Sequence, residues 1–408
     1  RPLGKTEASV IFNKNRVSKY PSIEGIVETP ILSESGNIIC EPGYNAETRR
    51  YVDLSEDLEG FHVPDAPTSD DAQEALETLL EPFCDFPFAS EADRTRAAGV
   101  VLTLLTRPVC DTVPLHLVSA NRQGTGKNKL VDVASIIATG RAAPPQKIPF
   151  SDEEMDKVIF SALLAGRALL IFDEASSGLE SEALASMISA KDYAGRTLGK
   201  SEHLSVPNSA CVIAVGKNVA SRKDMSRRTN PIKLHTDLVN PEARDDFKYP
   251  RLLDWVRQNR KRLLEAAHTL IRAWIVAGKP APPSGYDTGG FEEWYFTVGG
   301  ILAFAGRSDL MEDVREWRKA SDESELEDLA HVAWLHSVFG DKPFLAFEAQ
   351  RAIEDQSLSG GFVPLPSDLW TVENAKAQRL GRLYTRFQDR PFDGYVLRSA
   401  GTVNHTKL

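Results

Sequence analysis

The sequence predicts an α/β fold built on a parallel sheet, flanked by a small β-containing region, helical segments and a second small domain. Three observations carry this. Between residues 109 and 240, short apolar runs alternate with helix-like segments, the pattern of strands and crossover helices. Beyond Pro241 the periodicity becomes helical, and the last residues read as a helix followed by a hairpin. At 408 residues the chain is also too long for one ordinary core.

The elements follow in order. Residues 11–63 are short β-like runs, and "GIVETPILSESGNIICEPGY" places apolar stretches around a Ser-Gly-Asn turn, a hairpin signal. "HVPDAPTSDD" is a linker, and residues 71–83 and 91–105 read as helices. An apolar strand over 114–119 meets a Gly-rich loop and then a helix over 127–139, stopped at Gly140. Ser151 and Glu154 have capping-box spacing for a helix that ends at Gly166. "RALLIF" and "ACVIAV" are buried strands. Further on, Leu263, Ala267, Leu270, Ile271 and Trp274 share one helical face, Pro280, Pro282 and Pro283 break that helix, and residues 292–304 and 324–339 supply more helices. The resulting partition is 1–66 β-containing, 67–108 helical, 109–240 α/β core, 241–345 helical and 346–408 a C-terminal domain.

The composition is 42% hydrophobic and 26% charged, as in globular proteins. No apolar run is long enough to cross a membrane and no signal-peptide pattern is present, so a cytoplasmic location without membrane contact is expected. A start at Arg1 rather than Met is compatible with a longer protein. Cys40, Cys84, Cys110 and Cys211 have no metal-ligand spacing and read as buried free thiols. A net charge of −10 excludes a chain that coats nucleic acid with its whole surface, while leaving room for a local basic channel.

Four stretches carry chemistry. "GTGKN", Gly124 to Asn128, lies between a strand and a helix, the setting of a phosphate-binding loop. Glycines let backbone N–H groups turn toward phosphates and the helix N-terminus adds positive potential. Gln123, Gly124, Thr125, Gly126 and Lys127 form the expected cradle. Asn121 replaces the usual opening glycine, and Asn128 stands where a Ser or Thr hydroxyl normally meets magnesium. "LLIFDEA" ends a buried strand in Asp173, a candidate magnesium holder with Asn128, and Glu174, a candidate activator of water. "VIAVGKN" offers Asn218 at a strand tip to orient that water, with Lys217 before it. "DMSRRTNPIKL" supplies Arg227 and Arg228, candidates for a finger reaching a neighbouring subunit's nucleotide.

With these motifs the chain resembles AAA+ ATPases, and more narrowly superfamily III helicases and related replication proteins of phages, plasmids and prophages. The resemblance rests on "GTGKN", "LLIFDE", "DYAGRTLGKSEHLSVPNSACVIAVGKN" and "SRR", and covers about residues 95–245. It implies a P-loop ATPase core, ATP and Mg²⁺ as cofactors, and a ring oligomer, with a hexamer as the expected size. It also implies a hairpin in "AKDYAGRTLGKSEHLSV" that grips single-stranded DNA in a central channel through Lys191, Arg196, Lys200 and His203. A primase, fused upstream or separate, is a further partner compatible with this class.

At the C-terminus, Leu380, Leu383, Tyr384 and Phe387 form a buried stripe, and Arg379, Arg382, Arg386 and Arg390 line a neighbouring face. From Glu373 onward seven Lys/Arg face three Asp/Glu, and a helix followed by a hairpin fits a winged helix on duplex DNA. The function expected is an ATP-dependent DNA helicase or translocase for replication of a mobile element. The alternative is a hydrolysis-poor, nucleotide-bound DNA-binding or assembly protein, an initiator or a defence-related scaffold, which Asn128 favours. A DNA-packaging motor is a weaker third reading, since nothing resembles an attached nuclease.

Overall fold

The computed structural model describes residue 23 and residues 25–149, 151–175, 179, 181–196, 203–217, 223–366, 369, 372–403 and 406–407. Among these, the residues up to 217 and those from 227 to 314 form one compact unit, and residues 223–226 with those from 315 onward form a second.

The first unit opens with small β elements. Strand β1 (Gly25–Val27) pairs in parallel with β5 (Arg50–Val52), which pairs antiparallel with β4 (Gly43–Asn45). The expected hairpin is present as β2 (Ile31–Leu32) and β3 (Ile38–Ile39), closed by a turn in which Ser33 and Asn37 bond each other. Helix α1 (Ser69–Leu80) starts with a full capping box, Thr68 and Asp71 bonding each other's backbone N–H. Helix α2 (Glu91–Thr106) is buried over most of its length.

A five-stranded, all-parallel sheet forms the centre: β6 (Leu115–Ala120), β7 (Gln146–Lys147), β8 (Leu169–Asp173), β11 (Cys211–Lys217) and β12 (Thr229–Leu234), in the order β12-β6-β11-β8-β7. Leu115, Leu117, Leu170, Phe172, Ile213 and Ala214 are fully or almost fully buried, as strands covered on both faces require. Helices α3 (Lys127–Thr139) and α4 (Asp152–Leu164) make the first two crossovers. At the start of α4, Ser151 Oγ accepts from Glu154 N, but the Glu154 carboxylate pairs with Lys157 at 2.8 Å, so only half of the expected capping box is seen. Helix α5 (Glu182–Ser189) leads into an antiparallel hairpin of β9 (Asp192–Arg196) and β10 (His203–Pro207), inserted before β11.

Strand β12 is an element that the sequence reading did not assign. Pro231 argues against a central strand, but β12 lies at the sheet edge, where a missing N–H is tolerated. Helices α6 (Lys223–Arg227), α7 (Leu252–Gln258) and α8 (Arg260–Val276) follow. The α8 face Leu263, Ala267, Leu270, Ile271 and Trp274 is buried as expected. Arg260, only 2% exposed, donates to the carbonyls of Ile136 and Ile137 at the end of α3 and pairs with Asp57 at 2.7 Å. The last turn of α3 is thereby capped by a cation, which its dipole favours. The helix expected over 292–304 is interrupted: α9 (Glu292–Trp294) and α10 (Gly300–Phe304) flank a π turn at Tyr295–Gly299.

In the second unit, α11 (Val314–Phe339, which begins at the boundary) is longer than the sequence suggested. Helices α12 (Ala346–Leu358) and α13 (Ala377–Phe387) follow, then a two-residue-strand hairpin of β13 (Pro391–Phe392) and β14 (Tyr395–Val396). The α13 stripe Leu380, Leu383, Tyr384 and Phe387 packs with Trp334, Leu335, Ala349, Ile353 and Phe392 into one core. His331 stacks between Trp334 and Tyr384 within it. Among the described residues no helix is long and apolar enough to cross a membrane. All four cysteines are free thiols, but only Cys110 and Cys211 are buried, Cys40 being half-buried and Cys84 exposed, which corrects the expectation that all four are buried.

Candidate functional site

Strand register brings the candidate residues to one edge. Lys217 at the end of β11 is level with Ala120 at the end of β6, and Ala175, two residues beyond β8, bonds the carbonyl of Val215. The carboxyl ends of β6, β8 and β11 therefore open together, where open parallel sheets bind ligands. Between β6 and α3 the Gly-rich loop turns through Gly124 (φ 81°) and Gly126 (φ 92°), both left-handed and suited to glycine. Thr125 Oγ1 donates to the Arg122 carbonyl inside the loop, and the first α3 bond runs from Leu130 N to Gly126 O. Gln123, Gly124 and Asn128 are exposed, and Lys127 is half-buried at the first position of α3.

The absent opening glycine has a structural reason. Asn121 Nδ2 donates to the Thr236 carbonyl at 2.9 Å and its Oδ1 accepts from Thr236 N at 3.1 Å. The side chain ties the loop to the segment after β12, a role no glycine can fill.

Asn128 and Asp173 come together although 45 positions separate them: Asn128 Nδ2 donates to Asp173 Oδ2 at 2.9 Å. Asp173 Oδ1 accepts from Glu174 N at 2.7 Å. Glu174 is exposed and has φ 56°, a left-handed conformation that costs a non-glycine residue about 1–2 kcal/mol. Backbone strain of that kind concentrates at working sites. A hard carboxylate with an amide oxygen one side-chain rotation away is a donor pair suited to magnesium. Among the described residues no cluster of three or more His, Cys, Asp or Glu suits a metal, so any cation here would rest on this pair, water and phosphate.

The other candidates are more dispersed. Asn218 and Lys200 lie outside the described residues. Arg227 is the exposed last residue of α6, and Arg228 beside it donates from Nε to Ser189 Oγ at 2.7 Å. Arg196 and His203 face each other in register at the open ends of β9 and β10, with their side chains outside the described set. Lys191 stands before the hairpin and pairs with Asp111 at 2.8 Å. The hairpin base is firmly held. Arg107 donates to the carbonyls of Ala210, Cys110 and Asn208, and Asn208 Nδ2 donates to those of Met187 and Ala190. Tyr193 bonds Asp156 on α4, and Gly195 passes so close to Phe160 that a β-carbon there would stand 2.4 Å from the ring.

On α13, Arg379 and Arg382 are exposed, Arg379 donating to Asn374 Oδ1. Arg386 and Arg390 are half-buried. Arg386 lies 3.9 Å from Asp328 and over the Phe387 ring, and Arg390 lies over Phe387 and Phe392. The four arginines thus divide into an outward pair and a pair packed against the domain's own core.

Two loop neighbours were missed in the sequence. The Phe86 ring packs against Gly126, and Glu242, on a short 3₁₀ turn (Pro241–Ala243), sits over Gly124. Neither belongs to a motif, and each reaches the loop only through long-range folding.

No protein-family model and no curated protein matches the chain. Two solved structures, both apo forms of the NrS-1 C-terminal region, are similar to it. One has 12% identity over 86% of this chain and 76% of its own, with a TM-score of 0.39. The other has 14% identity over 76% and 68%, with a TM-score of 0.34. A likeness this distant leaves the site to be read from its own residues.

Proposed function

We propose that this chain binds ATP with Mg²⁺ on the Gly124–Asn128 loop and hydrolyses it to drive translocation on DNA during replication of a mobile element. The observation that carries the reading is the meeting of Asn128 with Asp173 at 2.9 Å, beside the left-handed Glu174, where β6 and β8 end. Loop amides and Lys127 would bind the phosphates. Asp173, with Asn128 turned to present its oxygen, would hold magnesium, which when bound neutralises charge on the phosphate oxygens. Glu174, its backbone held by Asp173 Oδ1, is the group suited to take a proton from the attacking water. Arg227, exposed at the end of α6, would serve a neighbour's nucleotide. Such a contact is head-to-tail, so it closes into a ring or runs on as a helix, and a hexameric ring is the proposed form. The β9–β10 hairpin, clamped at its base by Arg107 and Asn208, is the proposed DNA-gripping element.

One observation favours a second reading. The Asn128 amide donates to the very carboxylate that magnesium needs, as expected of a protein that binds nucleotide and hydrolyses it poorly. Turnover of ATP measured with and without single-stranded DNA separates the two. Turnover stimulated by DNA supports the motor, whereas tight binding without turnover supports the assembly protein. Doping active subunits with an Arg227→Ala, Arg228→Ala double mutant should reduce activity more than in proportion, and a strictly proportional loss refutes the finger acting between subunits.

A further inference from the structure

We infer that Glu242 is an electrostatic guard of the phosphate-binding loop, a carboxylate parked over its apex that the phosphates of an incoming nucleotide must displace. This rests on the nucleotide reading above and concerns regulation of the same site. A β-carbon built on Gly124 would stand 2.6 Å from Glu242 Oε2, 3.2 Å from its backbone N and 3.3 Å from its Cβ. Backbone and side chain of Glu242 therefore both approach the loop at Gly124, whose left-handed φ of 81° itself favours glycine.

The turn that carries Glu242 is pinned on two sides. Before it, Thr236 exchanges two hydrogen bonds with Asn121, the first residue of the loop. After it, Arg244 donates to the Asp85 carbonyl at 2.8 Å, and Lys248 N donates to the Asp85 carboxylate at 2.7 Å. Asp85 adjoins Phe86, whose ring touches Gly126. Pro241 is buried and anchors the turn, while the Glu242 side chain itself is exposed. Backbone placement is thus fixed, and the carboxylate swings on side-chain rotations alone.

The chemistry follows from charge. A loop of inward N–H groups at a helix N-terminus, with Lys127 beside it, attracts any anion. A tethered carboxylate at its apex satisfies part of that field when the site is empty and repels the polyphosphate that replaces it. Affinity is lowered most for the most highly charged ligand, and departure of a bound phosphate product is eased.

The test is calorimetric titration of ATP, ADP and inorganic pyrophosphate into the wild-type chain, Glu242→Gln and Glu242→Ala. Glu242 is exposed, so neither variant removes buried contacts, and unchanged thermal midpoints verify the fold. Both variants should bind ATP roughly three- to thirtyfold more tightly than wild type, with a smaller gain for ADP. The gain should shrink between about 0.1 M and 1 M salt, as the screening length falls from about 10 Å to about 3 Å. Wild-type binding that depends on Lys127, with Glu242 variants equal to or weaker than it, overturns the guard and leaves the nucleotide site standing. Absence of binding in all three proteins refutes the nucleotide site, and the guard with it.

Discussion

Replacing Asn128 by Thr should strengthen magnesium binding and speed hydrolysis. The Asn128 amide donates to Asp173 Oδ2 at 2.9 Å. A cation that uses both residues must first break that bond and turn the amide so that its oxygen faces inward. A hydrogen bond to a charged group contributes about 1.5–3 kcal/mol. Asn128 is exposed and Asp173 half-buried, so water competes and about 1–1.5 kcal/mol is the working figure. A threonine hydroxyl carries no such cost, because it donates to the carboxylate and offers a lone pair to the cation at once. At about 1.4 kcal/mol per factor of ten, the change is roughly five- to tenfold. The assay is steady-state ATP hydrolysis across a magnesium titration. Asn128→Thr should lower the half-saturating magnesium concentration by that factor and raise the rate by roughly tenfold at limiting metal. A level or reduced rate would show that the loop has adapted to the amide and that the Asn128–Asp173 bond is no impediment.

Other outcomes can be checked alongside. Lys127→Ala should abolish ATP binding in a titration, and an unchanged affinity would remove the loop from the site. An Arg379→Ala, Arg382→Ala double mutant should weaken duplex DNA binding and reduce its salt dependence by up to about two phosphate contacts. Arg386→Ala should instead lower the thermal midpoint, because that side chain packs on Phe387 beside Asp328. Burial pushes the imidazoles of His268 and His331 down to about 4 and that of His116 to about 3. In the unfolded chain these groups titrate near about 6.5, so between that value and the folded values the unfolded state binds more protons. Their stabilisation is fully present above about pH 6.5 and is lost as pH falls toward about 4. Among the described residues neither ring nitrogen of His268 has a hydrogen-bond partner. His268→Leu should therefore raise the thermal midpoint most at low pH and flatten its pH dependence, and an unaltered slope would refute this assignment.

What the sequence by itself determined is what local physics encodes. The apolar runs that became β8 and β11, the Gly-rich turn into α3 with its stop at Gly140 and the α13 stripe all follow from periodicity and backbone preference over a few residues. The same holds for the pairing of Asp173 with Glu174 at a strand end, whereas the β9–β10 hairpin is expected only from the resemblance. Strand β12 was hidden because Pro231 reads as a breaker until the sheet order puts it at an edge. The strand β7 is two residues long and carries no periodicity. Only the tertiary structure brought Asn128 onto Asp173, tied Asn121 to Thr236, and laid Phe86 and Glu242 against the loop. It also divided the four arginines on and just after α13 into an exposed pair and a packed one. The physical reason is the same in each case. A residue's backbone preference is set by its neighbours in the chain, whereas its charge acts on whatever the fold brings within a few ångströms, and for Glu242 that partner lies more than a hundred residues away.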